Sequence, residues 1–307
     1  NSCKNPNCPE CGSVDKEVWI HKQERFTLNV NYFHVVFTIP NELNVLCLMD
    51  PKFMYRALFT VSAETIKELS KDKKYLGAKI GFTSVLHTWG QNLSLHPHIH
   101  MIVPGGGIDS NGKWKSSKKK FFLPVKVVSK LFKGKFLSYT KKNFDQRKIK
   151  DEEQFQNIID ACYSKNWVVY TKKPMKSAKH VVKYLGRYTH RIAISNARIK
   201  KYEDNKVTFS YKDYSDHNKI KEMTLEDTEF FRRYMMHVLP SNFMKIRHYG
   251  FLGNRNKEER IQAIRTATNT KDPGPFLIDY EQIISDILKR DVSICIKCGQ
   301  KRHRQLE

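Results

Sequence analysis

The sequence predicts an α+β fold in which a central sheet of mostly antiparallel strands is flanked by helices. Three observations carry this reading. Short runs rich in β-branched and aromatic residues, such as "YFHVVFTIP" at 32–40, are bounded by Pro or Gly and have strand character. Two such runs, 78–89 and 96–104, are separated by Gly90, Gln91 and Asn92, which marks an antiparallel hairpin. Between the strand-like runs lie segments with helical apolar spacing, and strands interleaved with helices bury their apolar faces as a two-layer core.

The elements follow in order. The opening "NSCKNPNCPECGSVDKE" holds Cys3, Cys8 and Cys11 and then runs into a Lys- and Glu-bearing helical stretch. Residues 32–40 read as a central strand ended by Pro40, and 52–69 as a helix. After the hairpin comes the turn-rich "GGGIDSNGKW", a strand at "KFFLPVKV" (120–127), and helices near 126–143 and 151–165. "NWVVYT" (166–171) is a further strand. "MKSAKHVVKYLGRYTH" (175–190) has helical spacing with Ser177 as its N-cap. Strands at 206–213 and 219–225 precede a helix ending in "RRYMMHVLP", the segment "SNFMKIRHYGFLGNR", and two helical patterns around 256–268 and 279–290. No internal repeat is present. Three regions are expected: a remnant zinc-binding segment at 1–25, a main domain at 26–255, and a helical C-terminal region at 256–307 ending in Cys295 and Cys298.

Charge bounds the partner. Lys and Arg number 55 against 31 Asp and Glu, a net charge of +24 on 307 residues spread along the whole chain. Such an excess goes beyond solubility and points to a polyanion, nucleic acid first and an anionic membrane surface as its rival, because neutralising phosphates releases counterions. No stretch approaches the roughly 20 apolar residues that a membrane span needs, and no signal peptide is read. The chain opens at Asn1 inside a cysteine motif, so residues preceding it are expected. Seven cysteines, five of them in two short clusters, favour metal binding in a reducing compartment over disulfides. Cys47 and Cys162 stand alone among apolar residues and read as buried thiols.

In a strand, side chains at i and i+2 share a face, so His98 and His100 can present imidazoles to one ion. His96 has the same parity, but Pro97 interrupts it. A lone His-x-His pair is weak evidence for a metal. His87, near the end of the preceding strand, would face His98 across the hairpin and complete a three-histidine set; Gln91 is the competing third ligand. Imidazoles with open positions suit a divalent ion that polarises phosphate. Cys8 and Cys11 form a Cys-x-x-Cys turn able, with Cys3, to grip Zn²⁺, with His21 or a residue preceding Asn1 as the fourth ligand. Cys295 and Cys298 are either half of another zinc site or an inert tail.

In "HVVKYLGRYTHR", His180, Tyr184 and Tyr188 recur every four residues and stack on one helical face, with Lys183, Arg187 and Arg191 in a neighbouring row. A tyrosine beside cations is a competent nucleophile toward phosphodiesters. Negative observations narrow the chemistry: "PGGGID" has no Lys-Ser/Thr pair, and neither an ATPase signature nor a Gly-x-Ser-x-Gly elbow is present.

"LHTWGQNLSLHPHIHMIVPGGG", "YLGRYTHRIAISN" and "HVLPSNFMKIRHYGFLGNR", in that order, resemble the IS91-type transposases, a branch of the HUH superfamily of single-strand DNA nucleases. "NSCKNPNCPEC" followed by "YFHVVFTIP" resembles the end of that family's zinc-binding domain and its first catalytic strand. The resemblance covers most of residues 1–255. It implies an HUH endonuclease-like sheet carrying the histidines with the tyrosine helix packed beside it. His98 and His100 would bind Mg²⁺ or Mn²⁺, and Tyr184 and Tyr188 would be the two nucleophiles. Attack on a phosphate in single-stranded DNA would leave a 5′-phosphotyrosine and a free 3′-OH, as in rolling-circle transposition, without ATP. Lys183, Arg187 and Arg191 would hold DNA phosphates. The family implies a cytoplasmic, nucleoid-associated protein of a prokaryotic cell.

A non-catalytic zinc-dependent DNA-binding relative would have lost a strand histidine or both tyrosines, and all four are present. A replication initiator or relaxase shares the chemistry, but "HVLPSNFMKIRHYG" matches the transposase branch.

Overall fold

The computed structural model describes residues 13–118, 122–149, 151–171, 182, 183, 186, 193–274 and 277–301. Its centre is a five-stranded sheet of strands β1 (Tyr32–Thr38), β2 (Phe82–Trp89), β3 (Leu95–Pro104), β6 (Val169–Thr171) and β10 (Ile246–Tyr249), in the order β10-β2-β3-β1-β6, with every neighbouring pair antiparallel. The α+β architecture with a central antiparallel sheet is thus the one the sequence predicts.

Register decides which residues share a face. Val36 pairs with His100 and Thr38 with His98 between β1 and β3; His87 pairs with His98 and Val85 with His100 between β2 and β3. Directly paired residues point the same way and alternate residues share a face. One face therefore holds His34, Val36, Val85, His87, His98, His100 and Ile102. The other holds Phe33, Val35, Phe37, Leu86, Ile99, Met101 and Val103, all buried in the main core.

Helices α2 (Asn44–Met49), α3 (Pro51–Lys71), α4 (Val125–Asn143) and α5 (Glu152–Ser164) cover that apolar face. Pro51 at the first turn and the Asp50 carboxylate, accepting from the Phe53 amide at 3.0 Å, start α3. Met54, Leu58, Val61 and Ile66 of α3 share one core with Phe132 and Phe136 of the adjoining α4, all at most 1% exposed. Truncating either phenylalanine to Ala would cost about 3–5 kcal/mol.

Helix α1 (Ser13–Glu24) lies on the opposite, histidine-bearing face, where Trp19 packs against Tyr32, Val85 and Ile102. A hairpin of β4 (Gly106–Ile108) and β5 (Trp114–Ser116) forms within the stretch read as turn-rich. The strand expected at 120–127 is corrected. Pro124 is the N-cap of α4, so 125–127 are helical, and Phe122 and Leu123 plug the core beside it. Pro fixes φ for a helix start and lacks the amide a central strand needs, which overrides the β-branched composition.

A second, smaller sheet, β7 (Ile199–Glu203), β8 (Lys206–Asp213) and β9 (Lys219–Glu226), packs with α6 (Asp227–Met235) around Phe209 and Phe230. It docks on the β2–β3 connection through Leu93, which is fully buried in this cluster and held at φ 63°. The remaining helices are α7 (Lys257–Ala267), packed on Leu28 and Phe251, and α8 (Tyr280–Leu288), which contacts α1. Strands β7 and β10 were not among those read from the sequence.

Candidate metal centre

The histidine face of the sheet brings three imidazoles to one point. His87, His98 and His100 are all buried and each offers a ring nitrogen within 4.8 Å of the others. His98 Nε2 lies 3.0 Å from His87 Nδ1 and 3.0 Å from His100 Nε2. Strand alternation places His98 and His100 on the same side, and the hairpin register places His87 opposite His98.

Hydrogen bonding orients the rings. His98 Nδ1 sits 2.6 Å from the His96 carbonyl, which can only accept, so the proton of a neutral His98 is on Nδ1 and its Nε2 lone pair faces the cluster. His100 Nδ1 lies 2.8 Å from Nε2 of His34 on β1, with the two rings edge to edge, their centroids 5.1 Å apart and their planes 10° from parallel. Burial drives the His98 imidazole down to about 3 and, reinforced by the neighbouring imidazoles and Lys245, holds His87 well below its ordinary value. Both are therefore neutral at physiological pH, the state that ligates metal. The donor set fits a divalent cation: convergent neutral nitrogens, with an oriented lone pair at His98.

The surroundings are aromatic and cationic. The Trp89 ring lies 3.7 Å from the His87 ring, and Lys245 Nζ lies 5.2 Å over Trp89, its ammonium pulled down to about 8 by burial. The β2–β3 turn is gripped from the smaller sheet: Arg198 donates to the Gln91 carbonyl, Arg233 to the Asn92 carbonyl at 3.2 Å, and His237 Nε2 to the Leu93 carbonyl at 3.1 Å. Three successive carbonyls are thus fixed by the unit that buries Leu93.

Other sequence-derived candidates fall as follows. Gln91 directs its amide at the Tyr214 hydroxyl, 3.5 Å away. His96 is exposed and contributes its carbonyl to His98. His21 is exposed on α1. Cys47 and Cys162 are buried, and burial pushes the Cys162 thiol up to about 11. Cys295 and Cys298 sit on a closed turn in which the Gly299 amide donates to the Cys295 carbonyl at 2.9 Å. Lys183 is exposed. Cys3, Cys8, Cys11, His180, Tyr184, Tyr188, Arg187 and Arg191 lie outside the described residues. Val182 and Gly186, which bracket Tyr184 in sequence, are described. Val182 lines a cavity with Trp19, Tyr32, Thr83 and Ile102, and a Cβ on Gly186 would come within 2.4 Å of Ile20. Sequence reasoning missed His34; its signal was a histidine in an otherwise apolar strand, at the parity opposite the core-facing Phe33, Val35 and Phe37.

Two family models match the chain. One, described as "Putative transposase", matches residues 81–260; the other, "Transposase zinc-binding domain", matches residues 1–39. Among curated relatives, "Putative transposase y4qJ" of Sinorhizobium fredii is 39% identical over 314 residues, covering 98% of this chain and 79% of that protein. "Transposase for insertion sequence element IS801" of Pseudomonas savastanoi pv. phaseolicola is 29% identical over 307 residues, covering 98% and 74%. No solved structure matches the chain.

Proposed function

The chain belongs to the IS91-type transposase family, and from that premise we propose that it nicks and rejoins single-stranded DNA through a phosphotyrosine intermediate. DNA is its partner, and the net charge of +24 suits a phosphate backbone. The observation that carries the proposal is the convergence of His87, His98 and His100 on one point of the sheet.

These three imidazoles would hold Mg²⁺ or Mn²⁺, which when bound withdraws charge from a scissile phosphate. Tyr184 and Tyr188 are the nucleophiles. A tyrosine oxygen forms the new bond to phosphorus, the bond from phosphorus to the 3′ oxygen breaks, the phenol gives up its proton, and the departing oxygen takes one to become a 3′-OH. The energy of the broken phosphodiester is retained in the tyrosyl ester, so the second strand can be joined by the reverse attack without ATP. Lys183, Arg187 and Arg191 hold backbone phosphates, and Cys3, Cys8 and Cys11 bind Zn²⁺ within the N-terminal zinc-binding domain. Two tyrosines allow cleavage and transfer to alternate between donor and target in rolling-circle transposition. Among the described residues no helix is long and apolar enough to cross a membrane, in keeping with a site of action on cytoplasmic DNA.

The test is a labelled single strand carrying the element's end, incubated with Mg²⁺ or Mn²⁺. A covalent adduct that EDTA abolishes and that Tyr184→Phe with Tyr188→Phe removes is the expected result. An adduct that survives both substitutions overturns the assignment; tight binding with no adduct points to a DNA-binding protein without catalysis.

A further inference from the structure

We infer that His34 is a positioning residue of the metal centre: it holds the proton of His100 on Nδ1 and so turns the His100 Nε2 lone pair toward His87 and His98. The inference rests on the reading of the three histidines as a metal centre and extends it to a fourth that does not touch the ion.

The geometry is specific. His34 Nε2 and His100 Nδ1 are 2.8 Å apart, and the rings, 10° from parallel with centroids 5.1 Å apart, lie edge to edge, which keeps that contact in the plane of both imidazoles. A hydrogen bond between two neutral imidazoles needs one N–H and one lone pair. If His34 donates, the His100 proton is left on Nε2, pointing at His98 Nε2, 3.0 Å away. That arrangement satisfies the cluster without metal but blocks a ligand position. If His34 accepts, the His100 Nε2 lone pair is open beside that of His98. His98 obtains the same orientation from the His96 carbonyl at 2.6 Å, a backbone group of its own strand. His100 obtains it from a side chain on the neighbouring strand. Ligating histidines characteristically have the second ring nitrogen held in this way.

Packing alone does not explain the residue. His34 is 1% exposed between Tyr32 and Val36 on its face, a place where an apolar side chain would bury without a hydrogen-bonding requirement. Leu is close to His in volume, so His34→Leu should preserve the fold while removing the partner of His100. His34→Gln carries an amide oxygen near the position of Nε2 and should still accept.

The experiment is a titration of the full chain with Mn²⁺, followed by isothermal calorimetry, for wild type, His34→Leu and His34→Gln, with thermal melting of each protein in EDTA. Expected is a loss of about 10–100-fold in Mn²⁺ affinity for His34→Leu, near-native affinity for His34→Gln, and a melting temperature in EDTA that does not fall for His34→Leu. In ¹⁵N-histidine spectra of the Mg²⁺-loaded protein, His100 should carry its proton on Nδ1. Unchanged affinity in His34→Leu, or an Nε2 proton on loaded His100, overturns the role of His34. Equal losses of affinity in Leu and Gln variants with a lower melting temperature would make the residue a packing element only. Wild type that binds no Mn²⁺ instead overturns the metal centre itself, so the two failures are distinct.

Discussion

His87 and His98 face each other across the β2–β3 hairpin, with Nδ1 and Nε2 3.0 Å apart. The relationship is one of register. Because side chains alternate, a slip of one residue would send His87 to the helix-covered face, and the irregularity between His87 and Trp89 falls just beyond this pair.

Metal binding is expected to stabilise the fold. At a Mn²⁺ concentration about 100 times the dissociation constant the gain is about 2.7 kcal/mol, seen as a raised melting temperature that EDTA reverses. His87→Ala, His98→Ala and His100→Ala should each lose most of that rise. A wild-type melting temperature indifferent to millimolar Mn²⁺ and Mg²⁺ would sink the idea.

Acid should destabilise the protein before its carboxylates titrate. The His98 imidazole is lowered to about 3, that of His237 to about 4, and that of His87 well below its ordinary 6.5, each chiefly by burial. Below 6.5 the unfolded chain binds protons at these sites and the folded chain does not. Stability is therefore level above the unfolded value and falls with pH below it, by about 1.4 kcal/mol per pH unit for each such group until its folded value is reached. Urea denaturation at about pH 7.5 and about pH 5 measures this; equal stability at the two would contradict neutral burial.

The turn that joins the histidine strands is held from outside. Leu93 is fully buried in the smaller sheet's core, and Leu93→Ala should cost about 2–5 kcal/mol. It should also weaken Mn²⁺ binding, because the loosened turn sets how β2 meets β3. Leu137→Ala, in the main core away from that turn, should cost similar stability and leave Mn²⁺ affinity unchanged. If both variants affect Mn²⁺ affinity alike, the turn has no special role.

Gly186 lies against α1, where a Cβ would come within 2.4 Å of Ile20 Cδ1. Gly186→Ala should cost about 1–3 kcal/mol through overpacking and reduce adduct formation by displacing the segment that bears the tyrosines. Ile20→Ala should restore adduct yield in the double variant, a coupling that a double-mutant cycle reads directly. Additive losses would separate Gly186 from Ile20.

Much of the site was readable from local rules. The parity of His98 and His100 follows from the two-residue period of a strand, and the Gly90-containing break announced a tight hairpin, which brought His87 opposite His98. Helix α4 was readable too, but among the described residues of the strand read at 120–127 the chain is helical from Val125, because Pro124 acts as a helix cap. Strand β10 escaped detection: four half-buried residues, Ile246–Tyr249, alternate too weakly to announce a strand, and pairing with β2 is what makes them one.

By itself the sequence determined the parts whose chemistry is written within a few residues: the paired histidines, the cysteine motif, the Tyr-x-x-x-Tyr spacing, the basic charge, and the family that their order announces. The tertiary structure alone decided that His34 stands 2.8 Å from a histidine 66 positions away, and that side chains from 198, 233 and 237 grip the turn at 91–93. Those contacts depend on which strand lies beside β3 and in what register, and that is selected by burying the apolar face of the whole sheet against α3 and α4. Such a choice belongs to the packed core and to no short stretch of chain.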